Sequence, residues 1–118
     1  MGFDFDNDLP IYLQIIEHIK AMIVSGEYKK GEKIPSVREL SLIFEVNPNT
    51  IQKSLAELEN IGLIRTDRTN GKFVTESDDI IQESKMKTID DVINEFFEKM
   101  EKLGFDRHQT MKILNDKE

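Results

Sequence analysis

Four polar side chains lie within five consecutive residues of the chain: Asn49, Thr50, Gln52 and Lys53. Asn, Gln and Lys side chains can form hydrogen bonds with the edges of DNA bases, and Thr and Lys can bind phosphate. The exposed face of an ordinary helical bundle would carry the same residue types. These four residues therefore fit a DNA-reading helix and a plain surface helix equally well, and the elements around them must decide.

A second polar group lies between residues 64 and 75. Its β-forming flanks and the pair Asn70-Gly71 predict a β-hairpin. Arg65, Arg68 and Lys72 place three cations on this hairpin, and Gly71 would let the backbone approach a phosphate or the minor groove. A hairpin that only closes a small core could have the same sequence, but three cations in eight residues favour contact with DNA.

Residues 35–64 are predicted to contain a helix-turn-helix that positions the first polar group. Ser36 fits an N-cap with Glu39 three residues later, which is the pattern of a capping box. Asn47 can cap the second helix, and Pro48 then occupies its first position. Only two residues separate the helical patterns, so the helices must cross steeply, as they do when a second helix is presented to the major groove.

An earlier helix is expected to support this motif from residues 9–10 to about Val24, with Asp8 as its cap. His18 lies off its apolar stripe and is expected on the surface. The expected core positions share helical spacing, and they are Tyr12, Ile15, Ile16, Ile19, Met22 and Ile23 in this helix and Val37, Leu40, Phe44, Ile51, Leu55, Leu58 and Ile61 in the motif.

The composition fits one small domain without disulfides, since the chain has 118 residues and no Cys. No run approaches about 20 apolar residues, so no membrane span is expected. No basic segment followed by an apolar run begins the chain, so no signal peptide is expected. These features favour a cytoplasmic protein.

The net charge of −7 is unevenly distributed along the chain. Residues 1–9 carry −3, residues 10–75 carry +1, and residues 76–118 carry −5. DNA binding requires a local basic surface rather than a basic chain, and the acidity lies outside the segment with the two polar groups. A charge of only +1 there predicts weak non-specific binding and marked salt sensitivity.

Patterns of catalytic and metal sites are missing from the sequence. It contains no G-x-S-x-G, no Gly-rich phosphate loop and no His pair at metal spacing. Asp4, Asp6 and Asp8 resemble the start of a calcium loop, but Leu9 and Ile15 occupy the positions that need Gly and Glu. We expect a solvated acidic arm, no metal, no cofactor and no enzymatic activity.

The last third of the chain is predicted to be a polar linker over residues 76–87 and a helical hairpin over residues 88–118. Thr88 fits an N-cap, Gly104 a helix end and Asp106 a second N-cap. About 30 residues cannot build a core of their own, so the apolar stripe of this hairpin must dock elsewhere.

The hairpin could dock on the first domain of the same chain or on a second copy of the chain. A two-fold dimer is the commonest oligomer and suits a helix-turn-helix protein, so the second copy is favoured. The residues predicted to form the dimer contact are Ile89, Val92, Ile93, Phe96, Phe97, Met100 and Leu103.

Residues 9–75 resemble the GntR family of bacterial transcription regulators. The short two-helix tail and the sequence Val46-Asn47-Pro48-Asn49-Thr50 are similar to the YtrA subfamily, whose members are small dimers, mostly repressors and often encoded beside ATP-binding-cassette transporter genes. The resemblance rests on Leu9-Pro10-Ile11-Tyr12, Gln14-Ile15, Ser25-Gly26, Gly31, Pro35-Ser36-Val37-Arg38-Glu39-Leu40, Val46-Asn47-Pro48-Asn49-Thr50, Leu58-Glu59, Gly62-Leu63-Ile64 and Gly71-Lys72-Phe73-Val74.

The resemblance implies roles for individual residues. Arg38 matches an arginine on the first helix of the motif that contacts DNA. Asn49, Thr50 and Gln52 match positions of the recognition helix that reach bases or phosphates. The pair Asn70-Gly71 matches the tip of the wing, which enters the minor groove.

Two positions depart from the family pattern. Pro48 stands where many members have Arg, so one cationic contact is missing, and Thr69 stands where the wing usually has a first Gly. The large effector-binding domain of other subfamilies is absent, so the resemblance gives no ground for a small-molecule effector.

We therefore predict a mainly α fold with a small β-wing, made of an acidic arm (1–8), a winged helix-turn-helix DNA-binding domain (9–75), a linker (76–87) and a helical dimerisation tail (88–118). The predicted function is a transcriptional regulator, most simply a repressor, that binds an inverted-repeat operator as a homodimer and controls a transporter operon. A winged helix that binds a protein instead of DNA is the alternative. The predicted DNA contacts are Arg38, Asn49, Thr50, Gln52, Lys53, Arg65, Arg68, Asn70, Gly71 and Lys72.

Overall fold

Residues 4–117 are described by a computed structural model of the chain. They form two compact units that meet in sequence between Ser84 and Lys85. The elements, in chain order, are α1 (Ile11–Val24), α2 (Val37–Phe44), α3 (Pro48–Asn60), β1 (Ile64–Asp67), β2 (Gly71–Val74), α4 (Asp78–Lys102) and α5 (Arg107–Asp116).

Helices α2 and α3 form the predicted helix-turn-helix. The Ser36 hydroxyl accepts from the Glu39 N–H at 3.1 Å, and the Glu39 carboxylate accepts from the Ser36 N–H at 3.0 Å, so the capping box is confirmed. The Asn47 side chain accepts from the Asn49 N–H, with Pro48 at the first position of α3. Glu45 makes the turn in the left-handed region with φ of 56°, a conformation that is costly for a residue with a Cβ.

Helix α1 begins two residues later than expected. Pro10 occupies the N-cap position without a side-chain hydrogen bond, and the Asp8 N–H donates to the Asp6 carboxylate at 2.8 Å. Asp8 therefore does not cap the helix, because it belongs to a turn within the arm. The helix ends as predicted, with Gly26 adopting a φ of +87° just after Ser25.

The core of the N-terminal unit lies where α1, α2, α3 and the hairpin meet. Ser54 on α3 is fully buried, and its hydroxyl donates to the Tyr12 carbonyl of α1 at 2.9 Å. This bond satisfies a buried polar group and fixes α3 against α1. The buried apolar residues are Ile15, Ile16, Ile19, Ile23, Ile34, Leu40, Phe44, Ile51, Leu55, Leu58, Leu63, Ile64 and Val74.

Several positions differ from the core predicted by periodicity. Ile61 is 42 % exposed because it follows the last residue of α3, where the chain leaves the helix. Tyr12, Met22 and Val37 are only half-buried. His18 is also half-buried instead of exposed, and its ring lies edge-on to Phe44 with centroids 5.4 Å apart.

Strands β1 and β2 pair antiparallel and form the predicted hairpin, with Asp67 opposite Gly71. Residues 31–34 pair along the other edge of β2. The Ile34 N–H donates to the Lys72 carbonyl at 3.0 Å, and the Val74 N–H donates to the Glu32 carbonyl at 2.9 Å. The segment before α2 is thus attached directly to the hairpin.

The predicted linker is helical over most of its length, and the start predicted at Thr88 is wrong. Helix α4 begins at Asp78, with the Ser77 hydroxyl accepting from the Ile80 N–H at 3.3 Å. Ile80 and Ile81 are half-buried against the core of the N-terminal unit, so tertiary packing determines where this helix begins. Asp78 and Asp79 lie in its first turn, where the helix dipole favours negative charge.

The C-terminal unit contains the rest of α4 and helix α5. Gly104 adopts a φ of +93° after α4, and Asp106 with Gln109 forms the predicted capping box of α5. Phe97 stacks edge-on with Phe96, and the Arg107 guanidinium lies 4.0 Å from the centre of the Phe97 ring. The fold is therefore mainly α with a two-stranded wing, as predicted.

Candidate nucleic-acid interface

Helix α3 exposes most of the first polar group. Asn49 and Gln52 are exposed on its first two turns, while Ile51, Leu55 and Leu58 face the core. Thr50 is half-buried, and its carbonyl lies 3.1 Å from the Ser54 hydroxyl. The helix therefore presents two amide side chains that can donate and accept hydrogen bonds, which is the chemistry that distinguishes base pairs in the major groove.

Lys53 is engaged within the N-terminal unit. Its ammonium lies 3.8 Å from the centre of the Tyr12 ring of α1, in a cation–π contact. The side chain is still exposed, so the amine would have to leave the ring to reach a base or would act from there on a nearby phosphate. Lys53 is therefore a weaker candidate for base contact than Asn49 or Gln52.

Arg38 is exposed on the first turn of α2. The capping box fixes the backbone around it, so the guanidinium projects from a rigid element. Arginine can bind the O6 and N7 atoms of guanine, or a phosphate, through two parallel hydrogen bonds. This placement suits the DNA contact that the family resemblance implies for Arg38.

The tip of the wing is organised by Asp67. Its carboxylate accepts from the Thr69 N–H at 2.9 Å, the Asn70 N–H at 3.3 Å and the Asn70 side-chain amide at 3.2 Å. These bonds, chiefly the one from Thr69, hold the pKa of Asp67 below its usual value. Thr69 needs no left-handed conformation, since Glu45 is the one non-glycine residue with positive φ in the described part of the chain. The missing Gly thus does not prevent a tight tip.

The cations of the wing differ in what they contact. Arg68 is exposed at the tip. The Arg65 guanidinium lies 4.9 Å from the centre of the Phe73 ring and 3.7 Å from the Glu76 carboxylate. The Lys72 ammonium contacts the Thr66 hydroxyl at 2.8 Å and the Glu59 carboxylate at 3.3 Å. Arg68 is therefore the cation of the wing best placed for DNA, whereas Lys72 attaches the wing to α3.

Lys33 belongs with this surface, although it was not among the predicted contacts. It pairs with Phe73 of β2 through a β-bridge, and a Cβ added to Gly71 would lie 3.1 Å from its Cε. Lys33 and Lys72 line a groove of about 230 Å³ between the start of α2 and the wing. The only signal in the sequence is a group of lysines before Pro35. The position of Lys33 beside the wing depends on its pairing with Phe73, which lies 40 residues later in the chain.

The link between Glu59 and the wing predicts a pH-dependent stability. The Thr66 hydroxyl donates to the Glu59 carboxylate, and Lys72 lies beside it. These contacts, the Thr66 bond first, lower the pKa of Glu59 from 4.5. A carboxylate whose pKa is lowered by folding stabilises the fold at pH values above its pKa in the unfolded chain. This stabilisation is lost as the pH falls through its pKa in the folded protein. We expect the wild type to lose more stability than Glu59→Gln between neutral pH and pH values below 4.5.

Thermal melts of both proteins across this pH range would measure the difference. Because the Glu59 side chain is 43 % exposed, the expected effect is small, about 1 kcal/mol or less. Glu57→Gln on the same helix is the control, since Glu57 is exposed. Equal acid losses in the wild type and Glu59→Gln would show that this link does not stabilise the wing.

Six of the seven residues of the predicted dimer contact lie on α4, and Leu103 directly follows this helix. Ile89, Val92, Ile93, Phe96 and Leu103 are 38 % to 71 % exposed, whereas Phe97 and Met100 are half-buried. Helix α5 and the preceding loop carry further exposed apolar residues outside the predicted contact. They are Phe105, Met111 and Leu114.

Among residues 4–117, no group of His, Asp or Glu side chains could hold a metal ion. No helix in this range is long and apolar enough to cross a membrane.

A capped helix-turn-helix, exposed amides on its second helix and a wing with a basic tip define the class of winged-helix DNA-binding proteins. Residues 11–74 match the bacterial regulatory proteins of the gntR family. The chain belongs to this family, which consists of transcriptional regulators and not of enzymes.

Two relatives from Bacillus subtilis support this assignment. The HTH-type transcriptional regulator YhcF is 38 % identical over 111 residues, which cover 94 % of this chain and 92 % of YhcF. The HTH-type transcriptional repressor YtrA is 47 % identical over 68 residues, which cover 58 % of this chain and 52 % of YtrA. The chain thus resembles YhcF over nearly its whole length and YtrA over about half of YtrA.

Two solved structures are similar to this one. A GntR family transcriptional regulator from Listeria monocytogenes has a TM-score of 0.84 and 38 % identity, covering 95 % of this chain and 98 % of that one. The DNA-binding domain of AraR, solved in complex with operator ORE1, has a TM-score of 0.56 and 31 % identity, covering 64 % of this chain and 94 % of that one. AraR is thus a structural relative that was solved while bound to an operator.

Proposed function

We propose that this protein is a transcriptional repressor that binds an inverted-repeat operator as a homodimer. The observation that carries the proposal is the exposed pair Asn49 and Gln52 on a helix capped and buried on its opposite face. Arg38 on α2 and Arg68 on the wing would bind on either side of that helix. In this arrangement α3 reads bases in the major groove, and the cations bind phosphates or groove edges.

Dimer formation is supported by the apolar face of α4. Val92 on this face is 60 % exposed, and Leu103 just after the helix is 71 % exposed, which would be unfavourable in a monomer in water. A two-fold axis would bring identical faces together and bury both. It would also supply two recognition helices, which bind half-sites one helical turn, about 10 bp, or a multiple of it apart.

Repression is proposed because the relative YtrA is a repressor and AraR is solved on operator DNA. A protein that occupies its operator can block transcription without further chemistry. We further propose that the operator lies beside a transporter operon, as the resemblance to the YtrA subfamily implies. Its action on DNA is expected in the cytoplasm.

The salt dependence of DNA binding tests this function. If a dimer neutralises six to ten phosphates, its affinity should fall by about three to five orders of magnitude between 50 and 200 mM salt. Fluorescence anisotropy with labelled duplexes would measure the slope of log affinity against log salt concentration. Arg68→Ala should make the slope shallower by about two per dimer, one phosphate from each wing.

Lys99→Ala is the matched control, because Lys99 is an exposed cation of α4 that pairs with Glu95. It should leave the slope unchanged. A folded protein with no salt-dependent binding to any duplex would contradict the proposal and favour a winged helix that binds another protein.

A further inference from the structure

A second concave surface lies on α1, and none of the predicted DNA contacts lines it. It is a groove of about 500 Å³ between the arm and the exposed side of α1, within the range of small-molecule sites. Its lining residues are Asp4, Asp6, Leu9, Leu13, Gln14, Glu17 and His18.

Hydrogen bonds hold the arm in place along one side of this groove. The Gln14 side chain accepts from the Asp6 N–H at 2.8 Å and donates to the Asp6 carbonyl at 2.7 Å and the Leu9 carbonyl at 3.0 Å. Phe5 packs against the core, with its ring centroid 6.4 Å from that of Phe44. The groove therefore has a defined wall.

The floor of the groove is apolar and open to solvent. Leu9 is 54 % exposed and Leu13 is 42 % exposed, so both have apolar surface for a ligand to cover. Covering such surface is favourable in proportion to the area removed from water. A ligand with a bulky apolar body fits this floor.

Within residues 4–117, the charged residues that line the groove are all acidic. Asp4, Asp6 and Glu17 are in the lining, which contains no Lys or Arg. Asp6 also accepts from the Asp8 N–H, and Glu17 forms an ion pair with Lys20 at 3.1 Å, which offsets part of the charge. The remaining negative potential favours a cation beside the apolar floor and disfavours an anion.

We propose that this groove binds small amphipathic cations, in which bulky apolar groups surround a permanently charged nitrogen or phosphorus. The apolar groups cover Leu9 and Leu13, and the charge lies among the carboxylates of Asp4, Asp6 and Glu17. His18 borders the groove and contacts Phe44, the last residue of α2, so a ligand here lies next to the helix-turn-helix. Binding in the groove does not require the proposed DNA function.

Tetraphenylphosphonium is a suitable probe, and tetraphenylborate has the same shape with the opposite charge. Calorimetry would measure binding of both to the full chain, and ¹H–¹⁵N spectra would locate the site. Tetraphenylphosphonium should bind and shift amides of residues 4–18, whereas tetraphenylborate should not. Comparable binding of the anion, or shifts confined to residues 85–117, would overturn the proposal.

Matched variants separate the two parts of the site. Leu13→Asn should weaken tetraphenylphosphonium binding by about tenfold through lost apolar contact, whereas Leu42→Asn on α2 should change it by less than about twofold. Glu17→Gln should weaken it by about two- to fivefold, and Glu57→Gln, with the same change in net charge, by less than about twofold. Equal effects of Glu17→Gln and Glu57→Gln would show general charge attraction and overturn the site. Spectra of each variant would confirm that it is folded.

Discussion

Phe96→Asp is expected to convert the proposed homodimer into monomers. Phe96 is 38 % exposed on the apolar face of α4, and two-fold symmetry would place two introduced carboxylates in one apolar contact. Burying unpaired charges there costs about 4 kcal/mol or more per dimer, so the dimer dissociation constant should rise by at least about 10³-fold. Sedimentation equilibrium across a range of concentrations would measure the change.

Phe96 is a better test position than its neighbour Phe97, because the Phe97 ring contacts Arg107 of α5 and its replacement would disturb the monomer. Val92→Asp is a second variant on the same face and should also give monomers, since Val92 is 60 % exposed. Leu42→Asp on α2 places the same charge on an exposed apolar residue of the N-terminal unit and should remain dimeric. A dimeric Phe96→Asp and a dimeric Val92→Asp would show that this face is not the contact.

Arg38→Ala is expected to weaken operator binding by about 1–3 kcal/mol, or roughly fivefold to 150-fold. Arg38 is exposed on a helix that begins with a complete capping box. Removing its side chain therefore removes the proposed contact and leaves the support of α2 intact. Anisotropy titrations with a selected duplex would measure the loss, and the melting temperature would confirm that the variant is folded.

Lys99→Ala is the control for this change as well, because it removes one positive charge from α4. It should alter operator affinity by less than about twofold. If Arg38→Ala bound its operator with wild-type affinity while folded, Arg38 would have to be removed from the proposed interface.

The helix-turn-helix could be predicted from the sequence because its signals are local. The Ser36–Glu39 capping box and the Asn47 cap, which accepts from the Asn49 N–H, determine two helix starts through hydrogen bonds that span two or three residues. The hairpin was predictable for the same reason, since its turn is closed by the side chain of Asp67 within four residues.

The features that were missed depend on contacts between distant parts of the chain. Helix α4 begins at Asp78 because Ile80 and Ile81 pack against the core, and a polar, acidic segment gives no sign of that packing. Lys33 lies beside the wing because residues 31–34 pair with β2. Periodicity and capping patterns describe neither contact.

The predicted site residues were chosen by type, and the structure distinguishes them by what they contact. Lys53 lies on the Tyr12 ring, and Lys72 contacts Thr66 and Glu59. Asn49 and Arg68, chosen on the same grounds, remain exposed. Residue type therefore indicates where a DNA surface could be, whereas the partners of each side chain indicate which residues are placed to use it.

The most direct test of the proposed function is selection of bound sequences from a random duplex library by the purified protein at about physiological salt. We expect enrichment of an inverted repeat whose half-sites lie one helical turn, about 10 bp, or a multiple of it apart. The Asn49→Ala variant should lose preference at defined positions in each half-site. Failure to enrich any sequence, with the protein shown to be folded and dimeric, would contradict a sequence-specific regulator.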